Sequence, residues 1–372
     1  MNIISLVSYP FLPARTGGQK GIALFYKYFS RYHQLTIVTT EKNQPSYAEG
    51  YELLNIISNS KLRYINPFIF FRLRDLISQK KATHLILEHP YYGWLGILLK
   101  RACGIKLVVH SHNIEGLRWK GLGKWWWRIL WNYEKITHQQ ADYNFFIQEE
   151  DRKYAIETFH LDAKKCLSVS FGTEIKEPPS AESHESAFRI LQKELQIRND
   201  LPLLLFNGSF QYKPNRDALD NLLFKVNPIL QKKEIPYLIL IIGLNIPETI
   251  KSNSYPNVMI LGFVENLELY LTGCNVFLNP VQSGGGIKTK LVEALAFNLN
   301  AVSTENGAIG IDPALCNGKM ILCPDNNWKL FTEAIARAIH LNTTMPPVFY
   351  EQFYWGNITK RAADFISVTV DG

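Results

Sequence analysis

The sequence predicts an α/β protein built from two nucleotide-type, Rossmann-like domains, and three features carry that expectation. Short apolar stretches such as 2–8 (NIISLVS), 34–40 (QLTIVTT) and 201–207 (LPLLLFN) alternate with helical segments, as strands covered on both faces of a parallel sheet do. The chain has 372 residues, enough for two domains with a core each. Residues 174–185 (EIKEPPSAESHE) are polar, contain Pro178-Pro179 and lack periodicity, so they read as the linker between the domains.

Composition narrows the class further. A chain that is 47% hydrophobic and 20% charged is globular rather than disordered. No apolar run approaches the roughly 18 residues of a membrane-spanning helix. The opening MNIISLVSYP lacks a basic n-region and reads as a first buried strand, not as a signal peptide. The five cysteines are scattered and form no CxxC, which argues against a disulfide framework and a zinc site and for a cytoplasmic protein. The formal net charge of +7 is uneven: residues 1–175 hold 23 basic and 14 acidic side chains, the remainder 17 and 19. Within 61–128 there are 13 basic and 3 acidic residues, a field suited to an anionic partner: lipid headgroups, a phosphorylated acceptor or nucleic acid.

In chain order, the strand at 2–8 leads into a Pro- and Gly-rich loop at 9–18, a helix over about 19–32 and the strand at 34–40, a βαβ unit. Its loop lacks the GxGxxG fingerprint, and Gly17-Gly18 stands ten residues past the strand. Residues 61–74 (KLRYINPFIFFRLR) combine four cations with four aromatics, the composition of either a membrane-interface segment or a half-buried helix with a solvated basic edge. Pro67 breaks any continuous helix there. Strands follow at 83–87 and 105–109, the second running into His110-Ser111-His112-Asn113-Ile114-Glu115. Histidines at i and i+2 raise the idea of a metal, but no third ligand stands at useful spacing and Glu115 is expected on a loop, so none is expected to bind. A strand-end histidine in such a domain either points toward ligand or caps the loop.

Residues 118–131 (RWKGLGKWWWRILW) carry five tryptophans and four cations, more aromatic surface than one short helix can bury. That composition fits a membrane or a lipid-linked acceptor first, and an acceptor groove, a protein partner or nucleic-acid bases after it. The first half closes with strands at 142–147 and 166–171 and a helix opening at 148–154. After the linker come a helix over 186–197, the strand at 201–207, a loop FQYKPNRDAL, a helix to about 230, strands at 237–242 and 258–261, and a final helix at 349–365.

The richest stretch is 277–310. An apolar strand ends at Asn279-Pro280, three glycines follow at 284–286, and a helix runs over about 287–297. Unpaired amides that open a helix after glycines form a phosphate-binding arrangement. Lys288 in the first turn would reach a phosphate, and Glu293 would accept from a ribose diol; the alternative is a plain tight turn with two solvated charges.

The full pattern, P-x3-G-G-G-x-K-x-K-x2-E-A-L-A-x4-A-V-x-T-x2-G, resembles the nucleotide-sugar site of retaining glycosyltransferases of family 4. That resemblance implies a GT-B fold, two Rossmann-like domains facing across a cleft: 1–175 for the acceptor, 176–345 for the nucleotide sugar, and 346–372 as a C-terminal helix packing back on the first domain. It implies catalytic roles for His112, chosen over His110 because VVHSHNIE matches the family strand and loop, and for Lys288. It implies donor-binding roles for Gly17, Gly18, Gly208, Lys213, Gly285, Gly286 and Glu293, with no metal or other cofactor. The chain departs from the commonest pattern where Ser209 and Pro214 replace an Arg and a Lys, Gly285 replaces the first Glu of E-x7-E, and Phe171-Gly172 replaces Asn-Gly. Lys213 and Lys288 are the available substitutes, and GSFxYxPNxDAL with GGGxKxK resembles a subset of the family.

The expected function is transfer of a sugar, with retention, from a nucleoside diphosphate sugar to a hydroxyl acceptor in cell-surface polysaccharide or glycolipid synthesis. The expected partners are the nucleotide sugar, an acceptor that is lipid-linked, and an anionic membrane touched peripherally at its inner face, with no nucleic acid. The rivals are a sugar-nucleotide epimerase of the same architecture and a non-enzymatic nucleic-acid binder.

Overall fold

The computed structural model describes residues 1–197, 201–233 and 235–367. The chain divides into two compact units, Met1–Phe171 with Trp355–Gly372, and Gly172–Tyr354.

The first unit is a parallel seven-stranded sheet made of β1 (Asn2–Val7), β2 (Gln34–Thr40), β3 (Glu52–Ile57), β4 (His84–Glu88), β5 (Lys106–Ser111), β6 (Tyr143–Phe146) and β7 (Cys166–Ser168) in the order β3-β2-β1-β4-β5-β6-β7. Its helices are α1 (Gly17–Phe29), α2 (Phe68–Lys80), α3 (Gly93–Cys103), α4 (Glu115–Gly121), α5 (Trp127–Gln140) and α6 (Glu149–Phe159). The central strands β1, β4 and β5 are almost wholly buried, which is why they read as continuous apolar runs. The start of α1 is set by a capping box: the Thr16 hydroxyl accepts from Gln19 N, and the Gln19 side chain takes the Thr16 amide. That places Gly17 and Gly18 inside the first turn, two residues earlier than the expected helix. Pro67 separates a 3-10 turn at Lys61–Ile65 from α2, as its missing donor dictates. The tryptophan-rich segment forms two helices, α4 and α5, broken at Leu122–Trp126, rather than one.

The helix Trp355–Ser367 belongs to this first unit. Its buried face includes Trp355, Ile358, Ala362 and Ile366; Trp355 packs edge-on to Phe171, ring centroids 5.5 Å apart, and Phe365 meets Tyr143 at 5.7 Å. A single helix over 349–365 is not formed. Tyr354 interrupts it by pairing with Thr173 in a parallel bridge, where Thr173 N donates to Phe353 O at 2.7 Å.

The second unit is a parallel six-stranded sheet of β8 (Leu203–Ser209), β9 (Leu238–Leu244), β10 (Val258–Gly262), β11 (Val276–Asn279), β12 (Asn300–Thr304) and β13 (Met320–Cys323), in the order β10-β9-β8-β11-β12-β13. Around it lie α7 (Ala181–Glu194), α8 (Lys213–Asn221), α9 (Asn227–Gln231), α10 (Glu248–Lys251), α11 (Leu267–Gly273), α12 (Thr289–Ala296), α13 (Trp328–Ala338) and α14 (Pro347–Phe353). A π-helical turn at Leu222–Val226 joins α8 to α9. Leu204, Phe206, Ile239, Ile241, Leu278 and Val302 from the strands pack with Leu219, Leu222 and Phe331 from the helices into one core.

Two expected loops are helical here. The linker is shorter than 174–185 because Ser180 caps α7 by accepting from Ser183 N, with Glu182 favourably placed in the first turn. The loop after β8 ends at Lys213, where Pro214 sits in the first turn of α8. The edge strand β3, with a half-exposed pattern, lacked a sequence reading altogether.

In each unit the strand order reverses next to its first strand, between β1 and β4 and between β8 and β11. Ligand crevices of open α/β sheets lie at the carboxyl ends of the strands at such switch points. Among the described residues no helix is long and apolar enough to cross a membrane, and all five cysteines are free.

Candidate active site

At the switch point of the second unit, the glycine loop leaves β11 and enters α12. Gly284 and Gly286 have φ of +92° and +83°, backbone that other residues rarely adopt. A Cβ on Gly284 would stand 2.5 Å from the Tyr212 hydroxyl and 3.2 Å from Pro214 Cγ, so the glycine lets the loop lie against the start of α8. Gly208 serves the same purpose on β8: a Cβ there would meet Asn215 Nδ2 at 2.9 Å. Beyond β12, Asn279 Nδ2 donates to Ser303 Oγ and Gly307 O, both at 2.9 Å, and the Thr304 hydroxyl donates to Val281 O. These bonds fix the outgoing loops.

Two lysines reach into this edge. Lys288 stands at the N-cap of α12 rather than inside its first turn, and its ammonium donates to Gly284 O at 3.0 Å and Gly286 O at 2.8 Å. Burial pushes its pKa down to about 8. Lys290 donates to Asn207 O at 3.2 Å and Asn215 Oδ1 at 2.9 Å, with its Nζ 4.5 Å from the Phe206 ring centroid. Burial first, and the charge of Lys288 second, push it down to about 7. All four oxygens that hold these ammonium groups are neutral. Asn207 Oδ1, Asn279 Oδ1, Gln282 Nε2 and Asn306 Oδ1 are buried without a hydrogen-bond partner, at the ends of the adjacent strands β8, β11 and β12. Buried polar atoms are normally satisfied, and these four lie together at one edge of the sheet. Gly285 is exposed at the loop tip and Glu293 is half-buried in α12. Lys213, in contrast, points out: its side chain is 83% exposed and paired with Asp217 at 2.6 Å.

At the switch point of the first unit, Glu88 ends β4 directly opposite His110 on β5. Its carboxylate is buried and takes three donors: Tyr26 OH on Oε1 at 2.6 Å, His110 Nδ1 on Oε1 at 3.0 Å and His112 Nε2 on Oε2 at 2.7 Å. Burial alone would raise its pKa, but the charge and hydrogen bonds of His110 and His112 hold it well below the usual carboxylate range. His89 is next along the chain, in a left-handed conformation with φ of +67°; its ring lies 4.4 Å from that of His112, and Nε2 meets Tyr9 OH at 2.9 Å. Glu115 lies at the start of α4, not on a loop, and is buried against Tyr91 OH at 2.7 Å and Arg118 Nη1 at 3.0 Å. Gly17 and Gly18 lie at the other end of α1 from Tyr26, and a Cβ on Gly18 would project into open space.

The expectation that the histidines lack a third ligand is corrected here. Glu88, His110 and His112 have potential metal-ligating atoms within 4.8 Å of one another, because β4 and β5 are neighbours. In the structure they satisfy one another by hydrogen bonds.

Several apolar side chains of the basic first half lie outward. Ile65 is 71% exposed, Phe68 73% and Trp125 84%, with Leu62, Phe71, Leu122 and Ile129 exposed beside them in sequence. Both segments follow carboxyl ends of strands, β3 and β5. They are tied to the same support: Trp94 Nε1 donates to Tyr64 O at 2.7 Å, and Tyr64 packs on Tyr91, which holds Glu115 at the start of α4. Cations line them, Lys120 and Arg128 over Trp127 at 5.0 and 5.4 Å and Arg74 over Phe71 at 5.5 Å.

Sequence reasoning missed Glu88, Tyr26, Lys290, Asn207 and Asn215. Lys290 had a usable signal, the K-x-K spacing that begins α12. Glu88 had one too, an acid ending an apolar strand. Tyr26 and Asn215 become relevant only through contacts 62 and 75 residues away.

A family model described as "Glycosyltransferase Family 4" matches residues 16–174, and one described as "Glycosyl transferases group 1" matches 201–340. The chitobiosyldiphosphodolichol beta-mannosyltransferase of Debaryomyces hansenii is 22% identical over 278 residues, 65% of this chain; the chain spans 57% of the length of that relative. Among solved structures, a glycosyltransferase from Rickettsia africae superposes with a TM-score of 0.73 at 13% identity, covering 100% of this chain and 99% of the other. Anabaena HepE in complex with UDP superposes with a TM-score of 0.70 at 13% identity, covering 99% and 100%. Two glycosyltransferase family models thus match in tandem, one on each parallel sheet, and the chain has the GT-B fold.

Proposed function

We propose that the enzyme transfers a hexosyl group from a nucleoside diphosphate sugar to the hydroxyl of a lipid-linked acceptor, with retention of anomeric configuration and without a metal ion. The place is the inner face of an anionic membrane, and the product belongs to a cell-surface polysaccharide or glycolipid. The observation that carries the reading is the pair Lys288 and Lys290, two ammonium groups resting on neutral oxygens beside four orphaned buried polar atoms. A departing diphosphate needs that kind of fixed positive charge, and a site withdrawn from water makes it more effective. Lys288 carries most of the interaction, with Gly208, Gly285, Gly286 and Lys213 on the donor and Glu293 on the ribose; in the first unit the proposed residues are His112, Gly17 and Gly18. HepE was crystallised with UDP, which favours a nucleotide sugar. The yeast relative has diphosphodolichol in its name, which, with the exposed basic-aromatic surface, favours a lipid-linked acceptor.

The test begins with a panel of nucleotide sugars screened by thermal stabilisation, since a ligand that binds only the folded state raises its melting temperature. At least one is expected to stabilise the wild type and not Lys288→Ala. The reading is overturned if none does, or if Lys288→Ala turns over donor at the full rate. The Debaryomyces hansenii relative is named a beta-mannosyltransferase; for this enzyme the one-bond C1–H1 coupling of the product, compared with that of the donor, decides retention. Incubation without acceptor separates the epimerase reading, which alone yields an isomerised sugar nucleotide.

A further inference from the structure

Glu88 takes no part in the reaction described above, yet it joins four elements. The Tyr26 hydroxyl from α1 and His110 from β5 share its Oε1, His112 holds its Oε2, and Ser5 from β1 bonds the Tyr26 hydroxyl in turn. A fully buried carboxylate remains ionised only when such donors replace its lost water.

The geometry has a consequence for His112. A carboxylate accepts but cannot donate, so the ring nitrogen facing it must carry the proton. Among the described residues, His112 makes its hydrogen bond through Nε2 alone. In its neutral form, with the proton at Nε2, the ring presents a lone pair at Nδ1, the nitrogen left for a ligand. The same constraint acts on His110 through Nδ1, and its Nε2 is buried and unpartnered. Of the two rings, His112 is the one with solvent access, its side chain 12% exposed against 4%.

We propose that Glu88 is a positioning residue for glycosyl transfer: it holds His112 with Nε2–H directed inward and Nδ1 outward as acceptor for a hydroxyl of the transferred sugar. Through Tyr26 it registers that imidazole against α1, which begins with Gly17 and Gly18. The inference rests on the reading of His112 as a donor-sugar residue.

A substitution separates shape from polarity. Glu88→Gln keeps the size of the side chain but has one accepting oxygen and one donating NH2. The amide oxygen takes the place of Oε1, which has two donors, Tyr26 and His110, so the NH2 faces His112. That ring must turn a lone pair toward it and move its proton to Nδ1, presenting a donor instead of an acceptor. Glu88→Asp retains the charge and shortens the reach, and Tyr26→Phe removes one donor without touching His112.

The experiment measures the full-length wild type, Glu88→Gln, Glu88→Asp, Tyr26→Phe and His112→Ala for melting temperature, donor KM and kcat, and the ring-nitrogen shifts of His112 by long-range 15N–1H correlation. The wild type is expected in the Nε2–H form. Glu88→Gln is expected to move His112 toward the Nδ1–H form and to lower kcat by about 100-fold while donor KM changes by less than about 3-fold. Tyr26→Phe is expected to keep the tautomer and lose less than about 10-fold in kcat. A folded Glu88→Gln with wild-type kcat and unshifted nitrogens overturns the proposal. If Glu88→Gln does not fold, Glu88→Asp decides in the same way: lowered kcat with altered His112 shifts supports it, and unchanged values overturn it. Tight stoichiometric Zn2+ binding that disappears in Glu88→Gln also overturns it, since the trio would then be a metal site. Full turnover by His112→Ala overturns the role of the histidine itself, and the ring shifts still report whether Glu88 sets its proton.

Discussion

The two switch points handle charge in opposite ways. In the first unit a buried carboxylate, Glu88, is matched by three protein donors and its ionised form is stabilised. In the second, Lys288 and Lys290 lean on neutral oxygens and burial lowers both pKa values. At the first centre the buried charge of Glu88 is met by protein donors, although His110 Nε2 and His89 Nδ1 beside it stay without a hydrogen bond; among the described residues the charges at the second meet no acid. A buried charge with full partners is architecture, whereas one without an opposite charge points to a ligand.

The strongest test of that contrast exchanges activity for stability. Lys288→Ala and Lys290→Ala are each expected to lower donor kcat/KM by about 100-fold or more, with melting temperatures equal to or above the wild type, because a poorly solvated charge has been removed. Glu88→Ala is expected to destabilise by about 3 kcal/mol or more, because the histidines and Tyr26 lose their common acceptor. Calorimetric melts and steady-state kinetics read both; a Lys290→Ala enzyme that is less stable and fully active would erase the distinction.

A pH series sharpens it. Lys290 falls to about 7 in the folded state, and Lys288 to about 8, from an unfolded value of 10.5. The unfolded chain binds more protons between those values, so these two groups make the ligand-free protein gain stability as pH rises from about 7 toward 10.5. Donor binding runs the other way: the diphosphate favours the charged ammonium forms, so affinity is expected to fall as pH rises above about 8 and binding to take up protons. Titration calorimetry of a nucleoside diphosphate in two buffers of different ionisation enthalpy measures that uptake, which Lys290→Met is expected to diminish. Glu88 has the same sign in a more acidic window: its pKa is also lowered on folding, so its stabilisation is present near neutral pH and lost as pH falls through its lowered folded value.

Smaller effects are expected from the outer surface and the loop backbone. Replacing both Phe68 and Trp125 with Ser is expected to weaken co-sedimentation with anionic vesicles by about 10-fold and to leave turnover of a soluble acceptor within about 2-fold, with about 0.7 kcal/mol from each side chain, a third of the roughly 2 kcal/mol of full withdrawal from water. Wild-type protein that stays in the supernatant with such vesicles removes the membrane from the proposal. Gly284→Ala, which forces a Cβ onto a φ of +92° beside Tyr212, is expected to cost about 1 kcal/mol of stability and raise donor KM modestly.

Much of the fold is legible in the sequence because both sheets are covered on two faces. Strands such as Leu203–Ser209 are therefore apolar without alternation, and the helices between them begin at recognisable glycines and prolines. The edge strand β3 is not legible: its pattern is half-exposed, so no continuous apolar run marks it. The start of α7 was hidden by composition, because Pro178, Pro179 and a run of polar residues look like linker although Ser180 is a cap. In the site, residues on one loop were readable together, as Gly284 and Lys288 show. Glu88 was not, because its meaning comes from the strand beside it: only the register of β4 against β5 puts the acid opposite His110. Lys213, singled out by type and place, lies on the surface paired with Asp217.

The way the two lysines are held also sets a count. An ammonium group has three N–H donors. Lys288 gives two of them to Gly284 O and Gly286 O, and Lys290 gives two to Asn207 O and Asn215 Oδ1. Each has one donor left, aimed by the two already anchored. A nucleoside diphosphate presents several more oxygens than that pair can meet, so if it binds without rearranging the loop, most of its hydrogen bonds must come from other donors, backbone amides and Gln282 Nε2 among them. The lysines then act less as a clamp than as two fixed points that orient the ligand while those other donors hold it.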